Sequence, residues 1–302
     1  MDAHKLRLFI ALADSRHFGR AAAQCHVSPS TVSRNLKQLE DDLGSLLMLR
    51  DNRSVALTAD GERFLQFARE ALQHWETFQQ SLQNHSEQLR GQLSIYCSVT
   101  ASYSFLYDIL ARFRVDQPGI AIKLHTGDPA QAIERVLSGL EDIAIAARPG
   151  RLPAGLRFKP IAQSSLVFIG PTNKALLRDA PTAHTSWQAL PMIISAEGLA
   201  RERFDQWCRQ QNLQPNIYAE VKGNEAIVSM VSLGFGVGLV PKIVLSNSPL
   251  ADRVELLPDQ PDLGPFETGI CVLKKRLKSP IVAALWQQVT VDDKPGDAST
   301  AH

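Results

Sequence analysis

Residues 1–58 show the spacing of three short helices followed by a hairpin. Apolar side chains recur at helical intervals in the first segment, at Leu6, Phe9, Ile10 and Ala13. Phe18–Cys25 predicts a second helix, and Ser28, a favoured N-cap residue, followed by Pro29 predicts the start of a third. Leu46–Arg50 and Val55–Thr58 flank a polar turn, which predicts two short strands.

A long helix is predicted from about Ala59 to Leu89, because Thr58 suits its N-cap and acidic residues occupy its first turn. Its apolar residues follow a heptad pattern, at Phe64, Ala68, Ala71, Trp75, Phe78 and Leu82. Burying the three aromatic rings of this seam would stabilise an assembly by on the order of 5–10 kcal/mol per chain before ordering costs. We therefore expect the seam to dimerise with a second copy of the chain. The alternative is that it packs on the chain's own second domain.

From Gly91 onward, short apolar strands alternate with amphipathic helices. The first half of this region predicts strands at Leu93–Cys97, Ile120–Leu124 and Ile143–Ala147 and helices at Ser102–Val115 and Pro129–Ser138. The second half repeats the pattern at Leu166–Ile169, Met192–Ser195, Arg201–Asn212, Ile217–Val221, Glu225–Leu233 and Gly238–Pro241, and the chain closes with Gly269–Leu273 and Pro280–Val289. Such spacing predicts a mostly parallel sheet covered by helices, in two similar halves with a cleft between them.

The overall charge gives little support to a nucleic-acid partner. Lys and Arg number 32 and Asp and Glu 31, so the net charge is +1. No apolar run is long enough to span a bilayer, and the N-terminus has no apolar signal segment. The four cysteines lie far apart without metal-ligand spacing, so we expect a reduced, cytoplasmic protein without a metal or other cofactor.

Positive charge is nevertheless concentrated in Phe18–Lys37, a segment with the dimensions of a helix-turn-helix. Between Ser15 and Leu39 there are four cations and no acid. Outward hydroxyls and cations suit phosphates and major-groove base edges, and two hairpin arginines could form a wing. The expected contacts with double-stranded DNA are Arg20, Ser28, Pro29, Ser30, Thr31, Ser33, Arg34, Lys37, Arg50 and Arg53. The alternative on these residues alone is a solvated helix face.

A small-molecule site is expected in the cleft, where strands end and helices begin. Hydroxyls and amides there suit a small carboxylate, a guanidinium could clamp it, and carboxylate or amide groups could bind its hydroxyl or carbonyl. The candidates are Ser98, Thr100, Ser102, Asp128, Arg148, Ser195, Asn224 and Glu225. Any one of these serines could equally be a helix cap alone.

Catalytic patterns are absent from the sequence. The run Gly234-Phe235-Gly236-Val237-Gly238 lies between a predicted helix and a predicted strand, the reverse of the dinucleotide-binding arrangement, so a tight turn is expected. Neither GxSxG, HExxH nor a P-loop occurs, and the eight histidines are scattered. An enzyme acting on a small carboxylate stays open only because of the cleft.

The chain resembles the LysR-type transcriptional regulators over its whole length. In the N-terminal region the resemblance lies in Ala21-Ala22, Val27–Arg34, Leu36, Leu39-Glu40, Leu43-Gly44, Arg50 and Leu57–Gly61, and further on in Gly91–Leu93, Gly139, Asp142–Ile145 and Gly234–Pro241. Cys25 and Met48 depart from the Leu and Phe common in the family, which concerns packing and not DNA binding. The resemblance implies an α+β winged helix-turn-helix with a long linker helix, followed by an α/β two-lobed periplasmic-binding-protein-like effector domain.

We accordingly expect five segments. They are a DNA-binding domain at 1–58 with its helix-turn-helix at 18–37, a linker and dimerisation helix at 59–90, a first lobe at 91–161 plus 268–291, a second lobe at 162–267, and a disordered tail at 292–302. The resemblance also implies a homodimer or homotetramer whose co-inducer shifts the lobes, alters how paired subunits present their recognition helices, and so changes promoter bending and RNA polymerase recruitment.

Several stretches are closer to one group within this family, among them Ser15–Arg20, Cys97–Ala101, Lys123–Asp128 and Glu225–Val231. That group activates the gene of acetohydroxy acid isomeroreductase, in isoleucine and valine biosynthesis, in response to acetolactate or acetohydroxybutyrate. A 2-hydroxy-3-keto acid is therefore the expected co-inducer. The alternatives are a regulator of another pathway that senses a different organic acid, and a repressor that senses no ligand.

Overall fold

The computed structural model describes residues 2–50, 55–83, 89–176 and 187–289, with the backbone alone for residues 50, 76, 77 and 79–83. It contains two compact units. The first comprises residues 1–87, with which 138–140 are grouped, and the second comprises the rest of the chain. The tail at 292–302, the turn at 51–54 and the end of the predicted linker helix at 84–88 lie outside the described residues.

The first unit has the predicted helices and hairpin. Its elements are α1 (Ala3–Ser15), α2 (Phe18–Gln24), α3 (Pro29–Leu43), β1 (Met48–Arg50), β2 (Val55–Leu57) and α4 (Ala59–Gln83). Ser28 caps α3 and Pro29 is its first residue, as predicted. Thr58 caps α4 by accepting a hydrogen bond from the amide of Gly61 at 2.9 Å. The strands β1 and β2 pair antiparallel.

The N-terminal half of α4 belongs to the core of this unit. Buried side chains from α1, α2 and α3 enclose it, and Phe9 meets Phe64 edge-on with ring centroids 4.9 Å apart. Arg69 of α4 also pairs with Asp14 of α1 at 2.5 Å. The long helix therefore does not need a second chain to cover its first turns.

This packing corrects the six-residue seam predicted for α4. Phe64 is 7% exposed and Ala68 0% exposed, so both face the chain's own first helix and not a partner, and Ala71 also packs against that core. Trp75 and Phe78 are 47% and 53% exposed and lie near each other, whereas the side chain of Leu82 lies outside the described part of the structure. Heptad spacing identified an apolar face but could not tell which neighbour covers each turn.

The second unit alternates strands and helices. Its elements up to the middle are β3 (Gly91–Cys97), α5 (Val99–Ala101), a π-helical turn (Ser102–Leu106), α6 (Tyr107–Asp116), β4 (Ile120–Thr126), α7 (Ala132–Leu137), β5 (Ile143–Ala147) and β6 (Leu156–Pro171). Those that follow are β7 (Pro191–Ser195), α8 (Leu199–Gln210), β8 (Asn216–Val221), α9 (Asn224–Ser232), β9 (Val237–Pro241), α10 (Lys242–Ser246), β10 (Val254–Leu256), β11 (Pro265–Leu273) and α11 (Pro280–Gln288).

The strands form one path in the order β4-β3-β5-β11-β6-β9-β7-β8, with β10 beside β6. Pairs at the two ends of this path are parallel, but β6 and β11 pair antiparallel with each other and with their other neighbours. The sheet is therefore mixed, and the prediction of a mostly parallel sheet is wrong at its centre. The sixteen-residue β6 is longer than the predicted Leu166–Ile169. The prediction missed the first part of the strand because polar residues interrupt its apolar pattern.

Two lobes follow from this pairing. The first lobe contains β3, β4, β5, most of β11 and the start of β6, with α6 and α11 on one face and α7 on the other. The second lobe contains β7, β8, β9, β10 and the end of β6, with α8 and α9 on opposite faces. The chain crosses between the lobes within β6 and β11, which pair there through Ser164 and Phe266.

The glycine-rich run is a helix-to-strand turn, as predicted. Gly234 follows α9 with a φ of +83°, and the amide of Phe235 donates to the carbonyl of Met230 at 3.2 Å, which closes the helix. Gly238 lies against α9, where a Cβ would be too close to Ile227. These glycines serve backbone geometry and close packing.

Candidate functional site

The start of α3 presents a cluster of hydroxyl groups. The Ser28 Oγ accepts from the Thr31 amide at 3.2 Å and lies 2.7 Å from the Ser30 Oγ and 2.9 Å from the Thr31 Oγ1. With Pro29 as the first helical residue, α3 begins in a fixed conformation. Hydroxyls and backbone amides at such a terminus suit phosphate oxygens.

The two faces of α3 are chemically distinct. Val32, Leu36 and Leu39 are buried against α1 and α2. The residues predicted to contact DNA lie outside this core: Ser28, Pro29, Ser30, Arg34, Lys37 and the α2 residue Arg20 are exposed, and Thr31 and Ser33 are half-buried. The side chain of Arg50 and the whole of Arg53 lie outside the described residues. The described members are thus all at least partly accessible, and they supply hydroxyls and cations without a carboxylate.

Glu40 connects α3 with the hairpin, a contact that the sequence did not predict. Its buried carboxylate accepts hydrogen bonds from the amides of Leu47 and Met48 at 3.0 and 3.2 Å. Glu40, Asp41 and Asp42 are consecutive acidic residues near the end of α3, but only Glu40 of the three is buried. No local signal distinguished it, because its partners come from the next element.

A second site lies in the other unit, where a cavity of about 210 Å³ is lined by residues of both lobes. Five of the eight predicted residues line it, namely Ser98, Thr100, Arg148, Ser195 and Asn224. Ser98 and Thr100 follow β3, and Ser195 ends β7, so the cavity lies beyond the carboxyl ends of parallel strands from both lobes.

Ser98 and Thr100 are the most enclosed polar residues of the first lobe at this site. The Ser98 Oγ accepts from the amide of Ala101 at 3.1 Å, so it caps α5 and lines the cavity at the same time. Thr100 donates to the Glu225 Oε1 both from its amide, at 2.8 Å, and from its hydroxyl, at 2.6 Å. Glu225 is therefore bound to a lining residue from the opposite lobe.

Arg148 is the cationic residue that lines the cavity, and it is paired within the protein. Its guanidinium lies 2.6 Å from the Glu267 Oε2, and its amide donates to the Glu267 carbonyl at 2.8 Å. Both side chains of the pair are partly exposed. The guanidinium predicted to bind a ligand carboxylate thus lines the cavity while it is paired with the carboxylate of Glu267.

The structure does not bring Ser102 and Asp128 into the cavity lining. Ser102 is half-buried, and its hydroxyl donates to the carbonyl of Val99 at 2.6 Å. Asp128 caps the short turn that follows it by accepting from the amide of Ala130 at 3.0 Å. Asp128 is thus a cap of its own turn, whereas the Ser102 hydroxyl bonds back to a preceding carbonyl and does not cap a helix.

The remaining lining residues were not predicted. The apolar wall is made by side chains from both lobes, chiefly Phe105, Ile133, Ile145, Leu166, Val244 and Phe266. Thr268, on the crossing strand β11, adds a buried hydroxyl, and Glu197 and Glu202 add carboxyl groups near α8. Apolar periodicity identified most of these residues as core, because a cavity wall and a core have the same composition.

The groups that line the cavity suit the binding of a small polar molecule. Its hydroxyl donors suit a carboxylate, hydroxyl or carbonyl oxygen, and its walls suit short alkyl groups. Cys97, directly before Ser98, is buried, and this burial raises the pKa of its thiol to about 12, which keeps it protonated and unreactive. Among the described residues, no group of His, Cys, Asp and Glu could hold a metal ion.

Comparison with known families finds a match for each of the two units. Residues 3–62 match the model of the bacterial regulatory helix-turn-helix proteins of the lysR family, and residues 86–291 match the LysR substrate binding domain. The HTH-type transcriptional activator IlvY of Haemophilus influenzae is 43% identical over 95% of this chain and 99% of its own length. The IlvY of Salmonella typhimurium is 44% identical over the same shares.

Solved structures show the same fold. Full-length OxyR from Pseudomonas aeruginosa superimposes with a TM-score of 0.66 at 23% identity, covering 95% of this chain and 94% of its own. CbnR, a LysR family transcriptional regulator, gives a TM-score of 0.64 at 21% identity, covering 95% and 98%. No helix in the described part of the chain is long and apolar enough to cross a membrane. With family models that together span most of its length, this chain belongs to the LysR family of DNA-binding, ligand-responsive transcriptional regulators.

Proposed function

We propose that this regulator activates the gene of acetohydroxy acid isomeroreductase when acetolactate or acetohydroxybutyrate binds in the cavity between the lobes. The observation that carries the proposal is the 43–44% identity with IlvY activators over 95% of the chain, which includes both the α3 surface and the cavity. Identity of that extent supports a shared effector class, since it covers the site as well as the scaffold.

The cavity fits the chemistry of these acids. A 2-hydroxy-3-keto acid carries a carboxylate, a hydroxyl and a carbonyl on one side and short alkyl groups on the other. Hydroxyls of Ser98, Thr100, Ser195 and Thr268 can bind the oxygens, and the apolar wall around Phe105 can bind the alkyl groups. The two acids differ by one methylene group, and the proposal covers both.

We assign DNA binding to residues 1–58, with the exposed surface of α3 in the major groove. Arg34, Lys37 and the hydroxyls around Ser30 are the proposed contacts. Trp75 and Phe78 of α4 are the proposed dimerisation contacts, since they stay half exposed in the single chain. Phe67, also half exposed, joins them in place of Phe64 and Ala68. Pairing of subunits then sets the half-site spacing from which the regulator recruits RNA polymerase.

Calorimetric titration with acetolactate tests the effector assignment. We expect saturable binding to the wild type and at least a tenfold loss in Ser195→Ala, whose hydroxyl lines the cavity, because a hydrogen bond to a charged group is worth about 1.5–3 kcal/mol. Ser102→Ala is the matched control, because its hydroxyl bonds the carbonyl of Val99 and does not line the cavity. Absence of saturable binding to the wild type would contradict the proposal, and equal loss in both variants would contradict the site.

Operator binding tests the DNA assignment. Arg34→Ala should weaken operator affinity by about 1–3 kcal/mol if its guanidinium reads a base. Arg63→Ala is the control, because Arg63 is an exposed cation on α4 and lies outside the proposed surface. Equal affinities of wild type and Arg34→Ala in gel-shift titrations at fixed salt would refute the assignment of α3.

A further inference from the structure

We propose that Glu225 is an internal ligand of Thr100, which the carboxylate of the effector replaces, so that effector binding breaks a tie between the two lobes. The inference rests on the proposed function, since it assumes that the cavity binds a small carboxylate. It gives Glu225 a role in regulation and in ligand selection that differs from a direct contact with the ligand's hydroxyl.

The geometry places a carboxylate on a lining residue. The Glu225 Oε1 accepts from both the amide and the hydroxyl of Thr100, at 2.8 and 2.6 Å, although the two residues lie 125 positions apart. Thr100 follows β3 in the first lobe, and Glu225 belongs to the first turn of α9 in the second. Thr100 itself is buried and lines the cavity.

Because each of these two groups carries a single hydrogen, both donors of Thr100 are occupied by Glu225. The cationic Arg148 is likewise paired, with Glu267. A carboxylate that enters the cavity therefore meets donors that already serve protein carboxylates. Two carboxylates cannot share the Thr100 donors without strong repulsion, so one must leave.

Glu225 is the group that can leave. Its carboxylate reaches Thr100 from the opposite lobe, whereas the Ser98 cap and the Thr100 backbone belong to one continuous segment of the first lobe. The hydrogen bond from the Asn247 Nδ2 to the Ser104 Oγ, at 2.7 Å, joins the same two regions without involving a lining residue. Loss of the Glu225 contact therefore removes one hydrogen-bonded tie between the lobes and leaves another in place. It shifts the equilibrium between arrangements of the two lobes without separating them.

Titration of Glu225→Ala with acetolactate, in the full chain, tests the proposal. We expect affinity to rise about tenfold over wild type, because the effector no longer displaces a charge-assisted pair. Glu225→Gln keeps an acceptor oxygen but no charge, so its gain should be smaller. Asn247→Ala is the matched control: it removes the other tie without a competing carboxylate and should leave affinity unchanged.

A second probe separates competition from general loosening. The neutral analogue 3-hydroxybutan-2-one has the skeleton of acetolactate without its carboxylate. Glu225→Ala should bind it no more tightly than wild type does, since a neutral ligand has no carboxylate to place at Thr100. A similar gain for both probes would overturn the proposal in favour of a simple opening of the cavity.

The remaining outcomes are also decisive. Weaker binding of acetolactate in Glu225→Ala would overturn the proposal and make Glu225 a contact of the effector, while leaving the proposed function intact. If acetolactate fails to bind wild type, acetate and 2-hydroxy-2-methylpropanoate serve as probes. Tighter binding of these in Glu225→Ala would support the internal ligand and reject only the acetolactate assignment. No binding of any carboxylate to either protein would overturn both.

Discussion

The contact between Glu40 and the hairpin makes a quantitative prediction about the DNA-binding unit. The Glu40 carboxylate lies in a buried position at the end of α3 and accepts from the amides of Leu47 and Met48. Replacement by Ala leaves these two amides without that acceptor. Replacement by Gln keeps one oxygen but removes the charge.

The cost follows from the two hydrogen bonds. A hydrogen bond to a charged group contributes about 1.5–3 kcal/mol, so two lost bonds cost about 3 kcal/mol or more. This cost corresponds to at least a hundredfold increase in the population of the locally open hairpin, at about 1.4 kcal/mol per factor of ten. For Glu40→Gln we expect a loss of about 1 kcal/mol, because neutral hydrogen bonds replace charged ones.

Hydrogen exchange followed by mass spectrometry on the full chain measures this population. Peptides that contain Leu47 and Met48 should exchange about a hundredfold faster in Glu40→Ala and several-fold faster in Glu40→Gln. Asp41→Ala is the control, because Asp41 is the exposed neighbour of Glu40 on α3. Exchange within a factor of two of wild type in Glu40→Ala would refute the view that the carboxylate holds the hairpin to α3.

Three further predictions concern packing and burial. Gly61→Ala should destabilise the first unit by about 2 kcal/mol or more, since a Cβ there would clash with the carbonyl oxygen of Leu47. Trp75→Ala should shift the sedimentation profile toward monomer, whereas Phe64→Ala should cost about 3–5 kcal/mol of folding free energy. Burial raises the pKa of the Cys97 and Cys271 thiols from 9.0 to about 12, so the free energy of unfolding should fall as the pH rises above about 9, where only unfolded thiols ionise.

Each of these predictions has a result that would contradict it. For Gly61, the control is Gly150→Ala, where a Cβ meets no atom within 4 Å, and equal melting of the two variants would count against the clash. An unchanged sedimentation profile for Trp75→Ala would remove it from the dimer contact. Stability that stays constant from pH 8 to 10 in urea titrations, in wild type and in a Cys97→Ala, Cys271→Ala variant alike, would show that the thiols do not contribute.

Local signals in the sequence predicted the elements that depend on local chemistry. Ser28 and Pro29 predicted the start of α3, and Thr58 that of α4, because capping uses residues three positions apart. Contacts between distant elements could not be predicted in this way. Glu40 binds the amides of the following hairpin, and Glu225 binds Thr100 from the opposite lobe. Neither pairing leaves a periodic pattern in the chain.

The α4 seam shows a second limit. Periodicity alone marks Phe64 and Trp75 as members of one apolar face, and the structure confirms that both lie on α4. Periodicity cannot tell that α1 covers Phe64 and leaves Trp75 half exposed, since this depends on how far α1 extends along α4. Likewise, Ser98 and Asp128 were both predicted to bind the effector, and both cap the turn that follows them. Their local sequence signals are the same, and only the fold shows that Ser98 lines the cavity and Asp128 does not.

Transcription in a purified system tests most directly whether a ligand in the cavity controls the regulator on DNA. The template is the promoter of the acetohydroxy acid isomeroreductase gene from the same cell, with RNA polymerase and this protein present and acetolactate added or omitted. We predict that acetolactate, added near its Kd for the wild type, raises transcript yield with the wild type and raises it far less with Ser195→Ala, while both proteins bind the operator equally. Equal stimulation of both proteins, or none of the wild type when bound to the operator, would contradict the account.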